Sequence, residues 1–177
     1  MVKYINWPIY PSAAGLAYFL LLSLVTGCLG APVEEEPPDV NLPPYISPEF
    51  LTPDREVLWV ESAEPVELAV ETLLDPNPEE RLYYVFIGER TGLLEQSNVS
   101  AVPTDDLYRD AFYQFDRVAV DVDPCAERLR DHTDELIRLF VSDRPFDRVT
   151  EAEVEADDDG FIAAHRWLLR INEQICP

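Results

Sequence analysis

Carboxylates dominate the chemistry this chain can offer: 35 Asp and Glu stand against 13 Lys and Arg, a formal net charge of −22 over 177 residues. Oxygen-rich clusters suit calcium, which takes about 6–8 oxygen ligands. Asp121 and Asp123 form an Asp-x-Asp pair, Asp157-Asp158-Asp159-Gly160 is a second cluster, and Asp75 precedes Glu79 and Glu80 in a third. None has the spaced ligand set of an EF-hand loop closing on a glutamate. With so many carboxylates, chance clusters are expected, so no metal or other cofactor is assigned. His132 and His165 are the only histidines, too few for a convincing zinc set. His132 lies near Asp131 and Asp134, but no serine sits in a nucleophile-elbow context and no glycine-rich phosphate loop is present. Carboxylate pairs for glycoside cleavage are unsupported. The expectation is therefore a protein without catalytic residues. Trp59, Trp167, Tyr83, Tyr84, Tyr108 and Tyr113 could line a carbohydrate- or protein-binding face, although aromatics in strands more often form core or cross-strand pairs.

The remaining reactive group is the thiol. An apolar run, residues 13–25, leads into Thr26, Gly27 and Cys28, after which the sequence turns to proline and glutamate. Lys3 is the only charge before Glu34. A secretory leader has a cationic start, an apolar stretch of roughly 7–15 residues and small residues at the cut. Val25-Thr26-Gly27-Cys28 resembles a bacterial lipobox, in which the cysteine is lipidated and the preceding segment removed. That resemblance implies a leader over residues 1–27 and lipidation at Cys28. It also implies a bacterial cell-envelope location, with a membrane partner reached through the lipid. One acyl chain holds only marginally, but such lipoproteins carry a diacylglyceryl thioether and usually an amide-linked chain. Leu29 follows the cysteine where an aspartate would resemble an inner-membrane retention signal, which favours the outer membrane. The competing reading is a membrane-spanning helix with an incidental cysteine. Spanning needs about 20 apolar residues, and residues 5–33 just supply them.

Assigning Cys28 to lipid leaves Cys125 and Cys176 as a pair, and an oxidising compartment permits a disulfide between them. Closing a loop of about 50 residues stabilises by on the order of 4 kcal/mol in the chain-entropy account. The alternative is two unpaired buried thiols. The acidic balance argues against nucleic acid and against adhesion to anionic lipid, both of which need clustered basic residues. It suits a soluble, exposed surface.

Residues 28–48 carry Pro32, Pro37, Pro38, Pro43, Pro44 and Pro48 with the run Glu34-Glu35-Glu36, the composition of an extended, semi-rigid tether. Residues 49–177 fit one domain. Within it, residues 56–60, 66–74, 82–87, 112–115 and 118–122 read as strands. In the second of these, Val66, Leu68, Val70 and Thr72 are expected on one face, with Glu67 and Glu71 on the other. Asp75-Pro76-Asn77-Pro78 favours chain reversal, and Gly88 and Gly92 bound another turn. Residues 124–135 read as a helical turn. Residues 136–141 and 161–175 suit either strand or helix, and strand is preferred because many short strands with regular turns point to an all-β sandwich.

The chain resembles immunoglobulin-like or cadherin-like modules of uncharacterised bacterial lipoproteins. The residues concerned are Asn41-Leu42-Pro43-Pro44-Tyr45-Ile46, then 66–74, Asp75-Pro76-Asn77-Pro78-Glu79-Glu80 and 81–87. Pro124-Cys125, Leu139-Phe140-Val141-Ser142-Asp143 and Trp167 near Cys176 resemble the later strands. The resemblance implies an immunoglobulin-like β-sandwich and a non-catalytic structural or protein-interaction role, with another envelope protein as partner. It also makes the Asp75, Glu79 and Glu80 turn a place where calcium can be held, the alternative reading being a calcium- or glycan-binding lipoprotein. The cysteines do not bracket a central tryptophan, so the antibody inter-sheet disulfide does not carry over.

Overall fold

β-branched and aromatic residues in short runs favour strands because they fit a pleated, half-buried surface. The computed structural model, which describes residues 41–77, 81–103, 107–109, 111–157 and 160–176, follows that preference. In chain order the first strands are β1 (Leu51–Thr52), β2 (Val57–Val60), β3 (Val66–Val70), β4 (Leu73–Asp75), β5 (Arg81–Gly88) and β6 (Gly92–Ser100). They are followed by β7 (Tyr113–Phe115), β8 (Val118–Val122), β9 (Asp134–Ser142), β10 (Phe146–Val149), β11 (Val154–Ala156) and β12 (Ile162–Ile171). Both ambiguous segments are strands, within β9 and β12. The expected helical turn contracts to one 3-10 turn, Glu127–Leu129, whose Leu129 plugs the core.

The first layer is a five-stranded sheet ordered β2-β12-β9-β5-β6. Its pairs are antiparallel except β2 with β12, which run parallel from Leu168 opposite Val57 to Ile171 opposite Val60. Period-2 alternation sets its faces. In β9, Ile137, Leu139 and Val141 are buried in the core, while Leu136, Arg138 and Phe140 take the other side and are half-buried. β5 is buried on both faces, with Leu82 and Phe86 inward and Val85 and Ile87 outward, as its central place requires.

The second layer is built from β1-β3-β8 and β4-β7. These are one bent ladder: Val66 opposes Val122, Val70 opposes Val118, and the pairing resumes at Leu73 opposite Phe115 without a register shift. The bend at residues 71 and 72 overturns the expected alternation. Glu71 donates its N–H to the carbonyl of Phe50 (2.8 Å), Thr72 is only half-buried, and Leu73 takes the core position. β6 runs on from the first layer to the second, where Ala101 bridges Phe115 and Val102 donates to Gln114 (2.7 Å). The two inner faces meet in one core containing Trp167, Phe86, Phe115, Leu68 and Leu139. The rings of Trp167 and Phe86 stack at 6.3 Å, and the indole N–H donates to the carbonyl of Pro53 (3.3 Å). The architecture is an all-β sandwich.

This compact unit takes in residues from Asn41 onward. Tyr45 and Leu74 exchange backbone bonds of 2.7 and 3.2 Å, and Ser47 is buried. The leader over residues 1–27, Cys28 and the first part of the tether lie outside the described residues.

Candidate interaction face

The inner face of the five-stranded sheet is spent on the core, so any surface chemistry this layer offers is on its outer face. At the β2 edge, Leu58 and Val60 turn inward, which leaves Val57 and Trp59 pointing out. Trp59 is 78% exposed and Val57 45%. Beside them on β12 are Leu168, opposite Val57, and Arg170, opposite Trp59. Together with Glu61 and Thr133 these residues line a hollow of about 670 Å³. Arg170 is steadied by Asp134 (3.6 Å), which also takes Arg90 (3.0 Å). Burying a large apolar side chain stabilises by about 1.5–3 kcal/mol, so an indole left in water forgoes most of that gain. A single exposed leucine needs no explanation, whereas a strongly exposed tryptophan beside an exposed valine is the feature of this face that burial does not account for.

Further along the same face, β9 and β12 place Arg138 directly opposite Arg166, with Phe140 opposite Ala164 one pair on. These four residues, with Glu56 and His165, line a second hollow of about 260 Å³. The Arg138 guanidinium lies 5.7 Å from the Phe140 ring centre and donates to the carbonyl of Glu151, in the turn between β10 and β11. His165 has inward parity and sits edge-on to Trp167, 4.4 Å between ring centres. Burial lowers its pKa, with Arg166 acting the same way and Glu56 opposing, so the ring is neutral at pH 7.

The turn joining β5 to β6 is held by Glu135, which is buried at the start of β9. Its carboxylate accepts from the N–H of Arg90 (3.1 and 3.2 Å), the N–H of Thr91 (3.1 Å) and the Thr91 hydroxyl (2.8 Å). The chain approaches so closely that a Cβ on Gly88 would stand 2.3 Å from that carboxylate and 1.9 Å from the Thr91 hydroxyl. Gly92 completes the turn at φ +76°, a left-handed conformation that glycine adopts without strain.

Cys125 and Cys176 are joined as a disulfide, 51 residues apart in sequence, which ties the C-terminus to the loop after β8. Among the described acidic residues, Asp75, Asp123 and Asp143 hold turns. Asp123 accepts from the N–H of Cys125 (2.8 Å), and Asp121 is exposed opposite Glu67. Asp75 is buried and accepts from the N–H of Asn77 (2.7 Å). The Asn77 amide donates to Asn41 (2.8 Å), and Asn41 donates to the buried Asp143. Asp143 also accepts from the N–H of Phe161 (2.8 Å). These bonds fasten the first described residues to two turns. Among the described residues, no three His, Cys, Asp or Glu side chains are grouped to hold a metal ion; Glu79, Glu80, Asp158 and Asp159 lie outside them. His132 is exposed.

Of the six aromatics that could have lined a binding face, only Trp59 is strongly exposed. Trp167 is at the centre of the core, Tyr84 and Tyr113 pack against it, and Tyr83 and Tyr108 are half-buried. The run Val57-Leu58-Trp59-Val60 is apolar throughout, so the sequence carries no parity to say which residues face out. The Arg138–Arg166 opposition depends on the register between two strands far apart in the chain, and no local signal announces it. Comparison with family models, curated proteins and solved structures finds no match to this chain.

Proposed function

We propose that this chain is a non-catalytic binding module of the bacterial cell envelope, anchored by lipid at Cys28, that meets another envelope protein through the outer face of its five-stranded sheet. The observation carrying the reading is Trp59, 78% exposed beside Val57 and over a hollow of about 670 Å³. Exposed aromatic side chains of this kind anchor protein interfaces, where they supply large contact area with few rotatable bonds. The strand order supports an immunoglobulin-like plan: β1-β3-β8 in one sheet, β12-β9-β5 in the other, and a leading segment shared between both. The anchor rests on the apolar run ending at Cys28.

Photocrosslinking in the native envelope tests the face. A photoreactive residue at Val57 is expected to give one discrete protein adduct, and the same residue at Glu67 on the opposite sheet none. No adduct at Val57, or the same adducts from both positions, refutes the interface. For the anchor, Cys28→Ser is expected to release the protein from membranes; full retention at the normal size refutes it. The polar groups around Trp59, namely Arg170, Thr133 and Glu61, also suit a sugar ring stacked on the indole. A glycan that quenches Trp59 fluorescence would favour that second reading.

A further inference from the structure

Directly opposed like charges destabilise a strand pair, and this chain contains two instructive cases. On the second layer Glu67 faces Asp121, and Arg117 relieves the pair by bonding both Glu67 (2.5 Å) and Glu71 (3.0 Å). On the first layer Arg138 faces Arg166. Among the described residues, neither arginine has a carboxylate within ion-pair distance, in a chain with 35 acidic residues to draw on. The buried Nε of Arg138 also has no hydrogen-bond partner there, although buried donors are ordinarily satisfied. Both arginines are among the residues lining the 260 Å³ hollow, and the Arg138 guanidinium lies 5.7 Å from the Phe140 ring centre.

We propose that Arg138 and Arg166 form a subsite for a carboxylate, presented by the partner that docks on this face. A guanidinium offers a planar fork of donors that matches a carboxylate with two parallel bonds. A bound carboxylate would offset the charge of the two opposed cations. The charge pattern selects the occupant. The surrounding protein is strongly acidic, so a free anion is not concentrated there by long-range attraction. A carboxylate carried on a chain that also covers Trp59 and Val57 is brought in by contact instead. Only the source of the carboxylate rests on the interaction-face reading; the affinity of the arginine pair for the group does not.

The test uses the full chain, solubilised in detergent and labelled with ¹⁵N at arginine, titrated at constant ionic strength with acetate, with glutarate, and with inorganic phosphate. Acetate and glutarate are expected to shift the Arg138 and Arg166 Nε–H signals saturably. Arg166→Gln, at an exposed position that folding tolerates, should weaken that response about tenfold, the loss of one charge-assisted bond. Arg166→Glu should abolish it while raising Tm, because the variant supplies its own carboxylate to Arg138. Trp59→Ala should leave acetate binding unchanged while removing the Val57 photoadduct, so failure of the docking face and failure of the subsite are separately visible. Saturation by phosphate without saturation by either carboxylate overturns the assigned ligand class. Linear responses to all three anions, or a fall in Tm on Arg166→Glu, overturn the subsite.

Discussion

Trp59 and Trp167 make the same substitution give opposite results. Trp167 is fully buried, stacked on Phe86 and hydrogen-bonded to Pro53. Cutting it to alanine removes the whole transfer gain and leaves a cavity, a loss of about 3–5 kcal/mol. That is a large share of the roughly 5–15 kcal/mol by which domains are stable. Trp59 is 78% exposed, so truncating it removes little packing, about 0.3–0.7 kcal/mol when scaled from full burial. Urea unfolding of each variant measures the two effects. Because Trp7 belongs to the expected leader, the remaining two indoles report separately by fluorescence. Trp59 should emit at long wavelength and be quenched by acrylamide, and Trp167 should emit further to the blue and resist quenching. Trp167→Phe, which keeps an aromatic ring, should be milder than alanine and keeps the comparison readable should Trp167→Ala not fold. A loss above about 2 kcal/mol for Trp59→Ala would mean that the indole is packed after all, and the interaction face would lose its anchor.

Two further outcomes follow from the loops. Replacing Cys125 and Cys176 together by alanine should lower stability by up to about 4 kcal/mol, given the 51-residue separation, in urea unfolding without reductant; a loss under about 1 kcal/mol would show that the C-terminus is held by other contacts. Glu135→Ala should cost about 2–4 kcal/mol, since three donors of the β5–β6 turn lose their acceptor. Glu135→Gln, which retains one acceptor oxygen, should cost clearly less in the same measurement; equal losses would mean that the charge rather than the hydrogen bonds holds the turn.

What is legible in the sequence is whatever depends on local periodicity. Residues 66–70, 82–87 and 118–122 alternate or run apolar because their partners bury one or both faces, and the strands appear where that pattern predicts. β6 carries no such signal: from Glu95 to Ser100 it is mostly polar, as an edge strand with one neighbour in its sheet can be. The β10–β11 hairpin is hidden for a similar reason, since its residues are half-buried or exposed rather than alternating. The bend at Glu71 and Thr72 is a tertiary effect, arising where Glu71 bonds back to Phe50. The disulfide is accessible because three cysteines, one of them assigned elsewhere, leave a single pairing. Which carboxylates fasten which turn is not legible in the sequence: Asp75, Asp123 and Asp143 each accept a backbone N–H in a turn. Short acidic side chains favour turns for that reason.

Both candidate sites are places where the fold accepts a local cost. Stability alone would put a polar residue at Trp59 and an acid at position 166 opposite Arg138, as Arg117 already serves the acids of the second layer. Both changes need only one exposed side chain and neither disturbs the core. The two departures also share one face of one sheet, the face that β5, β9 and β12 must hold rigid because their other side is the core. On the proposed reading, an apolar anchor and a cationic pair on a common surface would select a partner with a hydrophobic group and a carboxylate at matching spacing. Neither feature alone would specify it: the indole would accept many apolar surfaces, and the guanidinium pair many anions.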